Sequence, residues 1–304
     1  MSGRESIAAD SLAGIRERMA NGDMILRPLR SFFRGRTMLV TGASSGIGYD
    51  VAQVLGGLGV RAALMARRQA PLEELVSEIR NQGGDGLAIV ADVTKREQVM
   101  EGVERALNEF GHLDILVNSA GILQPTAIEK MDPRDLQRMF DVNVLGTLHA
   151  IQAVLPSMRQ AGSGAIVNVG SLAGRRGMPP LGGYSATKFA LVGLTEALRV
   201  ELFGTGVHVA LVMPAVVDTP MIRAEAHIER EYHLSEMIPP MPVRWVTWAV
   251  IAAVTLRLTE VDVPPGAAVA EKLAALFPGV TDAALALGNR IWDWAANKGQ
   301  QVAK

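Results

Sequence analysis

Between residue 37 and about residue 263, short apolar runs alternate with longer stretches in which apolar positions recur every three or four residues. The short runs are Met38–Val40, Ala62–Met65, Leu87–Val90, Ile115–Val117, Ala165–Val169, Val207–Val212 and Val261–Val263. Most are continuously apolar rather than alternating, which predicts strands covered on both faces. The stretches between them carry helix punctuation. Pro71 opens one and Gly83-Gly84 follows it. Asp132 caps another, with Pro133 in its first turn and Asp135 at the third position. Repeated βα units with right-handed crossovers predict an α/β fold, a Rossmann-like doubly wound parallel sheet of about seven strands with helices on both faces.

Two flanks depart from this pattern, so the expected organisation is an N-terminal helical arm (1–35), one sheet domain (36–263) and a C-terminal helical extension (264–304). In the arm, Ser11–Ala20 reads as a short helix stopped by Asn21-Gly22. A basic stretch follows, with Arg27, Arg30, Arg34 and Arg36 interleaved with Leu26, Leu29, Phe32 and Phe33. It either touches anionic lipid or a partner, or packs as an arm whose arginines are solvated; the second is the plainer reading. In the C-terminal extension Leu273, Leu276, Phe277, Leu285, Leu287, Ile291, Trp292 and Trp294 predict further helices.

Composition narrows the chemistry. The 304 residues carry 30 basic and 31 acidic side chains, a net charge of −1, which lacks the footprint of a nucleic-acid binder. With no cysteine there is no disulfide, no thiolate metal site and no thiol nucleophile. The first twenty residues contain no apolar core of a secretory signal, so the expected compartment is the cytosol. The apolar stretch Trp245–Leu256 is shorter than the about 20 residues of a bilayer span and predicts a buried helix. His112, His149, His208, His227 and His233 show no ligand spacing, so structural roles and no catalytic metal are expected.

The first strand runs directly into TGASSGIG, placing Gly42, Gly46 and Gly48 where the strand turns into a helix. Glycines there permit a tight turn and close approach to a pyrophosphate, and the free N–H groups at the helix start favour phosphate. No P-loop lysine follows, which argues against triphosphate chemistry. The second strand ends in Ala66-Arg67-Arg68, without the carboxylate that holds an NAD ribose. Two guanidiniums there suit a 2′-phosphate, so NADP(H) is expected, with NAD(H) the less favoured alternative.

Tyr184 and Lys188 lie four apart in GGYSATKFALVGL and so share one face of a helix. An ammonium beside a phenol stabilises the phenolate and brings its pKa toward neutrality. Alone, the pair reads equally well as a surface tyrosine with a solvated lysine. Ser171, following the fifth strand, tips the balance, because ligands of open α/β sheets bind at that edge. Its hydroxyl is placed to hold a carbonyl oxygen together with Tyr184.

Taken together, residues 36–263 resemble the short-chain dehydrogenase/reductase family in its compact single-domain form. TGASSGIG fits the family's cofactor turn, TGxxxGxG, and Asp92 fits its adenine-contacting aspartate. Asn118-Ser119-Ala120-Gly121 fits NNAG, Asn143 fits the catalytic asparagine, and Pro214–Thr219 resembles the PGxVxT segment. The departures are Ser119 for the second asparagine and Ala215 for the glycine. The resemblance implies Asn143, Ser171, Tyr184 and Lys188 as catalytic residues. It implies cofactor contacts from Gly42, Ser44, Ser45, Gly46, Ile47, Gly48, Arg67, Arg68, Asp92, Val93, Asn118, Ala120, Gly121, Tyr184, Lys188, Pro214, Ala215, Val217 and Thr219. It further implies that Tyr184 protonates the carbonyl oxygen, Lys188 depresses the tyrosine pKa, and Asn143 holds a water linking Lys188 to solvent.

The implied activity is NADP(H)-dependent interconversion of a ketone or aldehyde with an alcohol. A non-redox enzyme of the same fold (an epimerase or dehydratase) and a non-catalytic NADP-binding scaffold are the alternatives. The substrate loop 214–242 supplies Val216, Val217, Met221, Ile222, Met237, Ile238 and Met241; the loop after Ser171 supplies Leu172, Met178, Pro179 and Leu181. These side chains either line an apolar pocket for a lipophilic small molecule or pack against the C-terminal helices. The helix bearing Lys188 also carries Phe189, Leu191, Val192, Leu194, Leu198 and Leu202, more apolar surface than one buried stripe needs. The family commonly pairs this helix, and the one around residues 133–158, across a two-fold axis, so a homodimer or homotetramer is expected.

Overall fold

The computed structural model describes residues 23–224, 239–284 and 286–287. The helix expected at Ser11–Ala20, and Met237, Ile238, Leu285, Ile291, Trp292 and Trp294, lie outside the described residues, as do His227 and His233. The strands are β1 (Thr37–Thr41), β2 (Arg61–Ala66), β3 (Asp85–Val90), β4 (Ile115–Asn118), β5 (Gly164–Val169), β6 (Val207–Pro214) and β7 (Glu260–Val263). The helices described are α1 (Asp23–Phe33), α2 (Gly46–Gly57), α3 (Gln69–Asn81), α4 (Arg96–Phe110), α5 (Pro133–Phe140), α6 (Gly146–Ala161), α7 (Gly182–Glu201), α8 (Pro220–Ala224), α9 (Val243–Thr255) and α10 (Ala267–Leu276).

All seven strands are parallel, in the order β3-β2-β1-β4-β5-β6-β7. The order reverses between β1 and β4, so the loops leaving their carboxyl ends diverge and open a crevice. The period of two along each strand divides the core. Met38 and Val40 of β1 face α2, α3 and α9, whereas Leu39 faces α4, α6 and the end of α7. The apolar runs are continuous because both faces of the sheet are covered.

Local chemistry sets the element ends. Asp132 caps α5, its Oδ1 accepting from the Arg134 N–H at 2.8 Å with Pro133 in the first turn. α3 begins at Gln69, two residues earlier than the sequence suggests, because a proline is tolerated throughout a first turn whose N–H groups have no helical partner. The single helix expected around 133–158 is instead α5, a five-residue π-turn over Asp141–Leu145, and α6. Such a turn inserts an extra residue and re-aims the side chain it carries, here Asn143.

The Trp245–Leu256 stretch forms α9, which buries Val246, Val250, Ile251 and Val254 against the sheet. One buried charge is compensated at this contact. Asp50 of α2 accepts from Arg244 Nη2 at 2.9 Å and from the Thr247 hydroxyl, so its carboxylate lies between two donors of α9. Of the histidines, His149 on α6 lies 2.9 Å from the Val93 carbonyl through Nδ1, and His208 in β6 meets the carbonyls of Ala253 and Leu258 at 3.1 Å. Among the described residues no three His, Cys, Asp or Glu side chains gather where a metal ion would sit.

The basic arm packs. Phe33 of α1 is completely buried in the α2–α3–α9 core, with Leu26, Leu29 and Phe32 packed against it. Arg27, Arg30 and Arg34 point to solvent, and Arg36 folds back over the Phe32 ring at 4.3 Å. Among the described residues no helix is long and apolar enough to cross a membrane. In α7, Leu191, Val192, Leu198 and Leu202 are consumed inside the chain, leaving Phe189 and Val200 exposed. The two sides of α1 should therefore respond differently to mutation. Phe33→Ala is expected to lower the unfolding free energy by about 3–5 kcal/mol in urea titrations. Arg30→Ala is expected to change it by less than about 0.5 kcal/mol.

Candidate active site

The carboxyl ends of β1, β2, β4, β5 and β6 open into one cleft of about 730 Å³. Its geometry begins at β1. Gly42 leaves that strand with φ +73°, a left-handed conformation, and a Cβ there would lie 2.7 Å from the Ala120 backbone. Gly48 occupies the first turn of α2, where a Cβ would sit 2.6 Å from the Gly42 carbonyl oxygen. These two glycines press helix and turn together, and Gly46 and Ile47 at the start of α2 line the cleft. Ser45 precedes that helix in extended conformation, and its side chain makes no capping hydrogen bond.

The end of β2 stands beside this turn. Arg68 Nη2 donates to the Ser44 carbonyl and to Ser44 Oγ, both at 3.1 Å, drawing the guanidinium against the glycine turn. Arg67 is exposed at the rim. After β3, Asp92 Oδ1 accepts from the Thr94 N–H at 3.0 Å and from its hydroxyl at 2.9 Å, which fixes the loop carrying Val93.

Beneath the cleft a buried polar chain joins the sheet to α7. Asn118 Nδ2 donates to Asn168 Oδ1 at 2.9 Å, Asn168 Nδ2 donates to Thr195 Oγ1 at 2.9 Å, and Thr195 donates to the Leu191 carbonyl at 2.6 Å. In the loop after β4, the N–H groups of Ser119 and Ala120 both donate to Thr41 Oγ1 at 3.3 Å. α7 is thereby held in register with β5, and it carries Tyr184 and Lys188 on its first two turns. Lys188 Nζ donates to the Val169 carbonyl at the end of β5 at 2.9 Å and lies 5.6 Å from the Tyr184 ring centre.

Ser171 completes the cluster. Its hydroxyl is hydrogen-bonded with the Tyr184 phenol, and its Oγ accepts from the Ala173 N–H at 3.1 Å. Burial pushes the Tyr184 phenol up to about 12, with the Ser171 hydrogen bond pulling the other way. Burial also brings the Lys188 ammonium down to about 8. The lowering expected from the sequence is opposed here by desolvation, and the Lys188 ammonium makes its own hydrogen bond to a backbone carbonyl.

Not every residue expected at the site reaches the cleft. Ser171, Tyr184, Lys188, Gly42, Ser44, Ser45, Gly46, Ile47, Arg67, Arg68, Asp92, Val93, Ala120, Gly121, Pro214, Ala215, Val217 and Thr219 line it. Gly48, Asn118 and Asn143 do not. The Asn143 amide is spent on scaffolding: it exchanges hydrogen bonds with the Ile122 N–H and carbonyl at 2.8 and 3.0 Å and donates to Thr187 Oγ1 at 3.0 Å. Ala215, in place of a glycine, avoids the left-handed region, and its N–H donates to the Val263 carbonyl at 2.8 Å. From the two substrate loops, Leu172, Met178, Leu181, Val216, Met221 and Ile222 line the cleft. Pro179 lines a neighbouring hollow, and Met241 pairs with Val217 and is buried in the core.

Some lining residues escaped the sequence reading. Arg176, Ala270, Ala274 and Thr281 all face the cleft, the last three from the C-terminal helices. Arg176 pairs with Asp282, more than a hundred residues away, and no local pattern announces such a contact.

A family model described as short chain dehydrogenase matches residues 36–229. The chain belongs to that family. It is 32% identical to a ketoacyl reductase of Nostoc over 260 residues, covering 86% of this chain and 89% of that protein. It is 42% identical to an uncharacterized oxidoreductase of Staphylococcus saprophyticus over 187 residues, covering 61% of this chain and 80% of the relative. Among solved structures, a 3-ketoacyl-(acyl-carrier-protein) reductase from Brucella melitensis, complexed with NADH, is 30% identical with a TM-score of 0.69, over 77% of this chain and 98% of that one. A short chain dehydrogenase/reductase from Burkholderia phymatum, in complex with NAD, is 26% identical with a TM-score of 0.76, over 82% and 96%.

The buried ammonium has a measurable signature. Folding depresses the Lys188 pKa from 10.5 to about 8, so the unfolded chain holds a proton that the folded chain releases between those values. Relative to Lys188→Met, wild-type stability is therefore lowest below pH 8. It should rise as the pH climbs from about 8 to about 10.5, by up to about 3 kcal/mol. Urea unfolding of both proteins across that range checks this, and a difference that is flat with pH contradicts it.

Proposed function

We propose that the protein is an NADP(H)-dependent oxidoreductase that interconverts a lipophilic ketone or aldehyde with the corresponding alcohol, using Tyr184 as the acid–base residue. The observation carrying this reading is the meeting of Tyr184, Ser171 and Lys188 in a cleft that is apolar on the substrate side and bounded by the glycine turn at its other end.

The cleft suits a dinucleotide. The unfilled N–H groups at the start of α2 and the Ser45 hydroxyl are placed for a pyrophosphate. At the end of β2 no carboxylate is available for a ribose, while Arg67 and Arg68 flank Ser44 where a 2′-phosphate would sit. That arrangement supports NADP(H), although the similar Brucella and Burkholderia structures are complexes with NADH and NAD. The chemistry a reduced nicotinamide would supply there is a hydride for the carbonyl carbon.

The chain's own residues do the rest. Burial favours the neutral phenol, which is the form that donates a proton. Tyr184 Oη protonates the carbonyl oxygen as the C=O π bond breaks, and the Ser171 hydroxyl steadies the charge building on that oxygen. The Lys188 ammonium beside the ring then stabilises the phenolate until solvent restores its proton. The Asn143 amide is engaged with Ile122 and Thr187, and its main-chain carbonyl accepts from Thr147 Oγ1 at 3.0 Å. Similarity to ketoacyl reductases and the lining by Leu172, Met178, Leu181, Met221 and Ile222 both favour an apolar carbonyl substrate.

A panel of ketones, aldehydes and alcohols, followed by absorbance of the reduced cofactor, tests the activity. Tyr184→Phe is expected to lose about 10²–10⁴-fold in kcat while NADPH still binds. Retention of more than about a tenth of wild-type kcat excludes Tyr184 as the acid. Arg67→Ala combined with Arg68→Ala is expected to weaken NADPH by at least about tenfold, the worth of one lost charge-assisted hydrogen bond, and to leave NADH little changed.

A further inference from the structure

Ser171 meets the Tyr184 phenol only if the chain on either side of it is held. On its amino side the Gly170 N–H donates to the Val212 carbonyl of β6 at 2.7 Å. On its carboxyl side the chain makes one tight turn, Leu172–Gly174. There the Ser171 carbonyl accepts from the Gly174 N–H at 2.8 Å, and the Leu172 carbonyl accepts from the Arg175 N–H at 2.9 Å. The turn lies against α7. A Cβ at Gly174 would sit 2.8 Å from the Lys188 carbonyl oxygen, so the two backbones touch. Leu172 packs against Val192 of α7, together with Leu211 and Met213 of β6.

A backbone contact and a small apolar cluster have little directionality. The directional tie is Arg175, the first side chain after the turn, which unlike Arg176 does not line the cleft. Its Nη2 meets Glu260 Oε2, at the start of β7, at 2.6 Å, and its Nη1 lies 3.9 Å from Glu196 Oε1 of α7. Glu260 is itself held. Its Oε1 lies 3.7 Å from Arg199 Nη1, and Arg199 Nη2 donates to the Thr259 carbonyl at 3.0 Å.

Lys188, Val192 and Glu196 are spaced by four and share one face of α7, spanning about 12 Å of its axis. The turn is therefore secured at three successive levels of that face, by Gly174, Leu172 and Arg175. Only a planar fork offers separate nitrogens to two carboxylates on different elements. The side chains of Arg175 and Glu260 are 27% and 32% exposed, so the pair is partly screened and its loss leaves the folded core intact.

We propose that Arg175 is a positioning residue: by gripping Glu260 and Glu196 it clamps the turn after Ser171 onto α7 and so holds the Ser171 hydroxyl against Tyr184. For its effect on turnover the inference rests on the reductase reading above.

The test is a double-mutant cycle joined to a spectroscopic readout. Arg175→Met is expected to lower kcat by about 10- to 100-fold, the scale of a catalytic group displaced by about 1 Å, with KM for NADPH unchanged. Placed in Ser171→Ala, the same substitution should cost less than about twofold further, because the group it positions is already gone. Arg175→Lys, which keeps the charge without the fork, should recover part of the loss. Losses that multiply, or an unchanged kcat in Arg175→Met, overturn the proposal. Thermal unfolding confirms that each variant is folded, and Glu260→Gln serves if Arg175→Met is not.

The second readout does not depend on turnover. The chain has three tyrosines, so ring-carbon NMR signals of the full-length protein labelled with ¹³C-tyrosine are few, and Tyr184→Phe identifies the one in question. That signal reports the hydrogen bond at the phenol. It should move in Arg175→Met in the same direction as in Ser171→Ala. If it does so while the wild type reduces no carbonyl, the clamp stands and the reductase reading fails. If carbonyls are reduced and the signal stays in place, the reverse holds.

Discussion

The ammonium of Lys188 is taken almost wholly out of water and given a backbone carbonyl, that of Val169, to hold. Much else in the site follows from that one contact. It places the fourth residue after Tyr184 at the end of β5, which in turn fixes where the phenol meets Ser171. The position is affordable because α7 is anchored independently through Thr195, Asn168 and Asn118, three buried side chains whose hydrogen bonds run from helix to sheet. Burial acts on both partners in the direction of neutrality, raising the phenol and lowering the amine.

The fold could be read from the sequence because strands covered on both faces leave continuous apolar runs, and Asp132-Pro133 announces a helix start without tertiary help. The arm was legible as well: Leu26, Leu29 and Phe33 share a helical stripe, and Arg27, Arg30 and Arg34 share the one beside it, each a single residue further on. The approach of Tyr184 and Lys188 was readable because a four-residue spacing on a helix is a geometric statement. Gly48, Asn118 and Asn143 sit in the expected motifs and also hold the scaffold, since packing a turn or bridging two loops demands particular side chains as strictly as binding does.

What the sequence concealed were contacts between distant segments. Arg176 and Asp282 meet only after the sheet has brought the loop following β5 beside the segment following β7. Alanines on α10 look like good helix formers, and nothing in their neighbours says that one face borders a cleft. The π-turn at Asn143 is similarly silent, because the extra residue is accommodated by hydrogen bonds to Ile122 and Thr187 rather than by glycine or proline.

These two kinds of residue divide the molecule by function. Side chains that place the phenol, the ammonium and the glycine turn are buried and mutually bonded, so changing one disturbs several. Those bordering the far end of the cleft sit on the C-terminal helices, which meet the loop after β5 through an ion pair exposed on its Asp282 side. Exposed pairs contribute little stability, typically below about 1 kcal/mol, so that end can be altered at small cost to the fold. The contacts of Tyr184, Lys188 and Ser171 are then insulated from the far end of the cleft, and the consecutive arginines after Ser171 are where the two touch.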